Sequence, residues 1–385
     1  MKNIFQFFII PVVALILASC GEKATPVEGV AEQDLVLSFD KSVIQATGSD
    51  VVTFTIYYEG KNVTDQTDAK IYNQTTKKWM TSRSFSTDKV GKYSFQVVYM
   101  AESSEVVTIN AIERPVPKVP ADTEHNSTSF VHRAFFNQHT GAACSNCPFM
   151  TYLIRQTIND EVKDKVVLAS LRNYSGETGF AVVTNPTGNW PYLQIDFDEG
   201  FPYNGTPESL RAKINSIASE PAKVGIAAKA EYYDDNQIIV TVAVKAAQDG
   251  RYNVGLWLMQ DNYFAEQAVD AQRLSLLGGT WGKSYHYHDN SVRVAESKYL
   301  GSHVGYPLGY MKKGQIVEWT FLFNVITEGT STITEWWEYT PVDLNDLHFA
   351  AFVTTPVQKG NNEVYKTVNA IDFPYNGEVG FEYIK

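Results

Sequence analysis

The sequence predicts a multidomain protein with an N-terminal β-sandwich, a central α/β unit and a C-terminal antiparallel β-sandwich. Short runs in which apolar and polar residues alternate occur in the first and last parts of the chain, as half-buried strands require. Between them, a strand, a helix and a second strand surround Cys144 and Cys147. A stretch containing Pro115, Pro117 and Pro120 separates the first part from the second.

Residues 1–19 are predicted to be a lipoprotein signal peptide. Lys2 gives a basic start, an apolar run follows at residues 4–17, and Leu17-Ala18-Ser19-Cys20 matches the bacterial lipoprotein cleavage pattern. The alternative is an ordinary secretory signal with an incidental cysteine. Cleavage would leave Cys20 as the first residue, with acyl chains that attach it to a membrane, and residues 20–32 as a tether. A membrane is therefore one expected partner.

The composition limits the remaining partners. The formal net charge of −11 argues against nucleic acid, which needs a basic face. The sequence contains no phosphate-binding loop and no recognisable catalytic pair of carboxylates. We therefore expect no cofactor and no metal ion.

Residues 33–112 are predicted to form an immunoglobulin-like β-sandwich. Residues 51–58 and 93–99 alternate or nearly alternate, residues 59–62 form a predicted turn, and residues 106–109 form a closing strand. The sequences of residues 60–64 and 90–95 resemble those of bacterial immunoglobulin-like domains. Residues 113–129 follow as a proline-rich linker.

Residues 130–220 are predicted to form the α/β unit. Phe149, Leu153, Ile154 and Ile158 recur at helical spacing, so a helix is expected from Cys147 to about residue 160. The apolar run at 166–171 fits a central parallel strand, and residues 208–219 a second helix. From residue 221 to 385, strand-like segments separated by turn residues predict the C-terminal sandwich.

The pair Cys144 and Cys147 is the main candidate site. At a helix N-terminus, unpaired N–H groups and the helix dipole lower the pKa of the first thiol, so Cys144 would attack a substrate disulfide and Cys147 would resolve the intermediate. His139 is expected to be a loop residue, although it could add positive charge near Cys144. Half of a zinc site, a permanent disulfide and an inactive relic of a redox fold remain alternatives.

Two further groups of residues are weaker candidates. His286 and His288 would share one face of a strand, which suits metal ligation, but a polar strand edge is the simpler interpretation. Trp336, Trp337 and Tyr339 could stack on a sugar, or they could belong to the core of the sandwich.

The cysteine segment resembles that of the outer-membrane-protein-28-related lipoproteins of Bacteroidetes-type bacteria. The resemblance includes Phe136, Thr140-Gly141 and the Cys144-x-x-Cys147-Pro148 motif, and it covers roughly residues 130–385. Further matching segments are residues 220–224, 252–258 and 288–293. The resemblance implies that the central unit is a thioredoxin-like domain and that the protein is anchored in the outer membrane, facing the periplasm or the surface.

The resemblance also implies a cis-proline opposite the cysteine pair. Pro202, in Gly200-Phe201-Pro202, fits that position best, and Pro207 is the second choice. For function, it implies a binding, adhesion or surface-antigen protein on a thioredoxin-like scaffold, with an unknown protein or glycan ligand. The alternative is a thiol–disulfide oxidoreductase that uses Cys144 and Cys147. Cysteines that are open would favour the enzyme, and cysteines that are buried beneath the C-terminal unit would favour the binding protein.

Overall fold

The computed structural model describes residues 35–172, 174, 185–233, 235–296, 305–325, 343–360 and 362–385. These ranges do not include the predicted signal peptide, Cys20, the tether at residues 20–32 or residues 33 and 34. Trp336, Trp337 and Tyr339 also lie outside them. Within the described ranges, no helix has both the length and the apolar character needed to cross a membrane. Strands in several sheets dominate, which confirms the expectation of a β-rich chain.

The first unit consists of two sheets that share one apolar core. One sheet has the order β1-β3-β4 with β7 beside β3, and the other has the order β2-β10-β8-β5-β6 with β9 beside β8. The rings of Phe54 and Phe95 meet across the core at 4.8 Å. The strands are β1 (Leu35–Phe39), β2 (Val43–Gln45), β3 (Val52–Tyr58), β4 (Lys61–Asn62), β5 (Lys70–Asn73), β6 (Lys78–Trp79), β7 (Ser84–Phe85), β8 (Gly91–Tyr99), β9 (Glu102–Ser103) and β10 (Val107–Ile112).

Alternation of side chains explains why these segments are strands. In β3, Val52, Phe54 and Ile56 are buried, while Thr53 between them is exposed. Because side chains of a strand point alternately to its two faces, this pattern places every second residue in the core. Glu59 and Gly60 both have positive φ angles and connect β3 to β4, as the turn predicted there requires.

The α/β unit contains four strands and two helices. They are β11 (Ala134–His139), α1 (Cys147–Thr157), β12 (Val166–Leu171), β13 (Tyr192–Ile195), β14 (Glu199–Phe201) and α2 (Pro207–Ala218). The strand order is β14-β13-β11-β12, with β12 parallel and β13 antiparallel to β11. Both helices begin with proline in the first turn, where its missing N–H costs nothing.

Each face of this four-stranded layer has a different cover. Phe136 points toward α1 and α2 and packs with Met150, Leu153 and Leu210. Phe135, the preceding residue, points the other way, where its ring stacks on Phe352 at 5.0 Å. The layer is therefore covered by helices on one side and by C-terminal strands on the other.

The remaining strands form the C-terminal unit. They are β15 (Val224–Tyr233), β16 (Gln237–Ala246), β17 (Gly250–Gln260), β18 (Tyr263–Phe264), β19 (Tyr287–His288), β20 (Ser291–Glu296), β21 (Tyr306–Met311), β22 (Ile316–Asn324), β23 (Leu347–Lys359), β24 (Asn362–Pro374) and β25 (Glu378–Val379). One sheet has the order β22-β16-β15-β25. The other continues from β12 through β20, β17, β23 and β24, with β21 beside β17, so a nine-stranded sheet runs through both units.

The predicted linker contacts the C-terminal unit. The ammonium group of Lys245 is buried, 2.7 Å from Asp122 and 3.1 Å from the hydroxyl of Tyr383. It also donates to the carbonyl oxygens of Glu124 and His125. The buried charge is thus satisfied by linker atoms and by the end of the chain.

The start of the α/β unit is also held by the end of the chain. Phe130 forms β-bridges with both Ala222 and Tyr383, and its ring lies 5.0 Å from that of Tyr383. The amide of Ile384 donates to the carbonyl of Ser129. The last residues thus lie beside the first residues of the central unit.

Candidate functional site

Cys144 and Cys147 form a disulfide bond. Cys147 is the first residue of α1, and the Asn146 side chain makes no cap hydrogen bond. The bond therefore lies at the helix N-terminus, where the sequence placed it and where the helix dipole favours a thiolate. However, Cys144 is only 4% exposed and Cys147 is fully buried. The prediction of the pair's position in the fold is confirmed, but its sulfur atoms do not lie open to solvent.

The cover comes from the C-terminal unit. We call residues 140–146, which lead from β11 into α1, the cysteine loop. Residues 265–286, which connect β18 to β19, contact this loop, and we call this segment the strap. The buried side-chain amide of Gln267 donates to the carbonyl oxygens of Gly141, Ala142 and Cys144, at 3.2, 3.0 and 3.0 Å. One side chain thereby satisfies several backbone acceptors of the loop that contains the disulfide.

Backbone contacts fasten the strap further. The amide of Ala268 donates to Ala142 at 2.7 Å, and the amide of Asp270 donates to Ser145 at 2.9 Å. These bonds extend the Gln267 contacts along the whole cysteine loop. Because backbone donors hold the loop at both ends, moving the strap would break several hydrogen bonds together.

Arg273 of the strap contacts the residues at the start of α1. Its guanidinium donates to the side-chain oxygen of Asn146 at 2.7 Å, just before α1. The same group lies 4.5 Å from the ring centre of Phe149 and 5.2 Å from that of Tyr203. Such cation–π contacts add to the hold on the helix start. Arg273 thus joins the strap to the first turn of α1, next to the disulfide.

The expectation that His139 is a loop residue was wrong. It is the last residue of β11, fully buried, and pairs with Leu171 on one side and Tyr192 on the other. Sequence reasoning ended the strand too early, because a polar run at 137–139 does not look like a buried strand. His139 thus sits between the strand ladder and the cysteine loop.

The prediction that Pro202 follows a cis peptide bond was also wrong. Among the described residues, the cis bond is the one between Trp190 and Pro191. Because Tyr192 pairs with His139, Pro191 lies next to the end of β11 that leads into the cysteine loop. Pro202 instead follows the edge strand β14. No local signal in the sequence separates Pro191 from the other prolines, because an X-Pro sequence does not reveal its isomer.

His286 and His288 are both engaged in holding the strap. Nδ1 of His286 accepts from the backbone amide of Gln267 at 2.9 Å, and Nε2 of His288 lies 3.2 Å from the carbonyl oxygen of Ala265. Across the part of the chain that the structure describes, no three histidine, cysteine or acidic side chains are grouped to hold a metal ion. His286 lies before β19, which consists of Tyr287–His288, so the two histidines do not share one face of a strand. Trp336, Trp337 and Tyr339 cannot be placed.

A second site, which the sequence did not indicate, lies around His348. Its Nδ1 lies 2.8 Å from Asp372 and its Nε2 lies 3.3 Å from Asp261. Burial opposes protonation of the imidazole, but the two carboxylates outweigh it and raise the pKa of His348 to about 9. The three side chains line a cavity of about 610 Å³ between β12 and the C-terminal strands. Residues far apart in the chain build this site, so no local motif reveals it.

Two solved structures resemble this chain weakly. HBP35 of Porphyromonas gingivalis shares 14% identity over 63% of this chain and 75% of its own, with a TM-score of 0.46. A domain of the outer membrane lipoprotein Omp28 from Porphyromonas gingivalis shares 18% identity over 40% of this chain and 89% of its own, with a TM-score of 0.23. No protein-family model matches the chain. No curated protein matches it either.

Proposed function

We propose that this protein is a lipid-anchored outer-membrane lipoprotein that acts by binding a ligand and uses a thioredoxin-like domain as a scaffold. The single observation that carries the choice of binding over catalysis is the strap. The strap is bonded to the loop that contains the disulfide, in which Cys144 is 4% exposed and Cys147 is fully buried. Thiol–disulfide exchange needs direct attack of a thiolate on a sulfur atom, which requires access that this arrangement denies.

The domain assignments belong to the same proposal. The order β14-β13-β11-β12, with α1 entering after β11 and α2 following β14, supports a thioredoxin-like domain at residues 130–220. The two facing sheets at 33–112 support an immunoglobulin-like domain, and residues 221–385 then form the C-terminal sandwich. Cys20 would supply the anchor, residues 20–32 the tether, and residues 113–129 the linker between the first two domains.

The proposal is tested by an insulin-reduction assay on the full-length protein in detergent, with dithiothreitol as electron donor. We expect turnover no faster than dithiothreitol alone, and the same result for a Cys144→Ser variant. Turnover that is well above this background, and that disappears in the variant, would overturn the proposal and establish the oxidoreductase instead.

The oxidoreductase remains the second candidate because of one specific observation. The disulfide lies at the start of α1, with Cys147 as the first helical residue. That position stabilises a thiolate on Cys144 after reduction. In this alternative, the strap would have to open, and Cys144 would attack an extracytoplasmic protein disulfide that Cys147 then resolves.

A further inference from the structure

The edge of the first unit carries a cleft with an exposed tryptophan. Trp79 is 53% exposed and lies at the end of β6, the outermost strand of its sheet. The cleft measures about 540 Å³ and is also lined by Lys70, Met80 and Arg83. The remaining lining residues are Thr67, Ala69 and Thr81. We call this the Trp79 cleft.

The indole contacts a neighbouring ring and is still about half exposed. Tyr72 is paired with Trp79 across β5 and β6, and their rings meet at 5.0 Å with an angle of 57°. Next to it, the amide of Met80 donates to Ile71 at 2.8 Å. Large exposed aromatic side chains that are fixed by neighbours are typical of recognition surfaces, because little conformational freedom is lost on binding.

Arg83, on the positively charged side of the cleft, is also held in position. Arg83 donates to the carbonyl oxygens of Thr64 and Gln66, at 2.8 and 3.1 Å, which fixes its guanidinium beside the cleft. Neither Lys70 nor Arg83 is ion-paired with a residue that the structure describes. Although Asp68 is close in sequence, no carboxylate lines the cleft within that part of the chain. The cleft therefore presents positive charge to a ligand.

The cleft lies at one edge of its sheet. In the order β2-β10-β8-β5-β6, β2 and β6 are at opposite edges. Ser42, directly before β2, bonds to Glu318 and Thr320 of the C-terminal unit. Trp79 therefore lies at the edge of this sheet opposite the β2 edge, next to which Ser42 bonds to the C-terminal unit.

We propose that the Trp79 cleft binds acidic oligosaccharides, with a sugar ring stacked on Trp79 and its carboxylate or sulfate group held by Lys70 and Arg83. A sugar ring combines one face of C–H groups with a rim of hydroxyls. The cleft offers one aromatic wall and otherwise hydroxyl and cationic donors, which matches that chemistry. This inference rests on the proposed binding function and names its ligand class.

The test is calorimetric titration of the full-length protein in a polyoxyethylene detergent, which contains no sugar. Size-defined heparin oligosaccharides and oligogalacturonides are the probes, and maltohexaose and a polyglutamate peptide are the uncharged and non-saccharide controls. We expect the acidic sugars alone to bind, and Trp79→Ala to weaken them by about tenfold or more. Phe264→Ala, which truncates an aromatic residue of similar exposure in β18 of the C-terminal unit, should leave the affinity unchanged.

Circular dichroism and thermal melting establish that each variant is folded. Absence of binding, equal binding of maltohexaose or polyglutamate, or unchanged affinity of the Trp79→Ala variant would each overturn the inference. None of these outcomes affects the insulin assay, so failure of this inference and failure of the binding function are separate results.

Discussion

The side-chain nitrogen of Gln267 lies 3.0 Å from the carbonyl oxygen of Cys144. The two residues belong to different units, and their hydrogen bond joins the strap directly to a residue of the disulfide. Gln267 therefore ties the strap to the loop that contains the disulfide, although its side chain bonds to backbone carbonyls and not to sulfur.

Replacing Gln267 should expose the disulfide. Gln267→Ala removes donors to three loop carbonyls, at a cost of about 1–3 kcal/mol for buried groups left unpaired. We expect the disulfide to be reduced by dithiothreitol about tenfold faster, as measured by maleimide labelling and mass spectrometry. Gln272→Ala, an exposed position in the same strap, is the matched control. Equal rates for both variants would mean that the strap is not the barrier.

Removing the disulfide should cost only modest stability. The two cysteines are three residues apart, so the bond closes a very small loop and restricts the unfolded chain little. For the variant with both cysteines replaced by alanine, we expect a loss of about 2 kcal/mol in the free energy of unfolding. Urea unfolding followed by tryptophan fluorescence measures it. Failure of the variant to fold would show that the bond is essential to the fold.

The buried pair of Lys245 and Asp122 predicts an asymmetric response to mutation. Asp122→Ala leaves the ammonium group buried without its charge partner, which should cost about 3–5 kcal/mol. Lys245→Met removes the buried charge itself and fills similar space, so the loss should be smaller. Thermal unfolding of both variants and of the double variant compares them. A larger loss for Lys245→Met would contradict this account.

His348 predicts a fall in stability at alkaline pH. Its folded pKa of about 9 exceeds the unfolded value of about 6.5, so its stabilising contribution is complete below pH 6.5 and is lost as the pH rises through 9. Asp196, whose pKa burial raises to about 7, loses its contribution at lower pH, between its unfolded pKa of about 3.9 and pH 7. We expect the melting temperature of His348→Gln to change less between pH 6.5 and 9.5 than that of the wild type. The exposed His125→Gln is the control, and an unchanged slope for His348→Gln would refute the assignment.

The proposed anchor makes a prediction about Cys20. The Cys20→Ser variant should not incorporate labelled palmitate and should leave the detergent phase in a Triton X-114 partition. The wild type should enter that phase, because several acyl chains are needed for firm attachment. If the variant still partitions with the detergent, the attachment has another origin.

Local patterns were sufficient for the secondary structure around the site. The helical spacing from Phe149 to Ile158 predicted α1, which begins at Cys147 and ends at Thr157. Residues 208–219 likewise predicted α2, observed at Pro207–Ala218. Both predictions succeeded because a helix's apolar period is written in consecutive residues.

Features that depend on distant residues could not be predicted. Gln267 has no sequence signature that links it to Cys144. His348 meets Asp261 and Asp372 only because the end of β17, the start of β23 and the end of β24 lie side by side. The bond before Pro191 was missed for a related reason, since an X-Pro sequence alone does not reveal its isomer. Spacing reports which face a residue occupies, but not what covers that face.

The bridges that Phe130 forms with Ala222 and Tyr383 have a consequence for biosynthesis. Translation proceeds from the N-terminus, so Phe130 leaves the ribosome long before Tyr383 exists. The two units that share the nine-stranded sheet can therefore be completed only after Tyr383 has been synthesised, and the nascent chain must stay unaggregated until then. The segment around Tyr383 is therefore required to complete units whose other strands are synthesised before it.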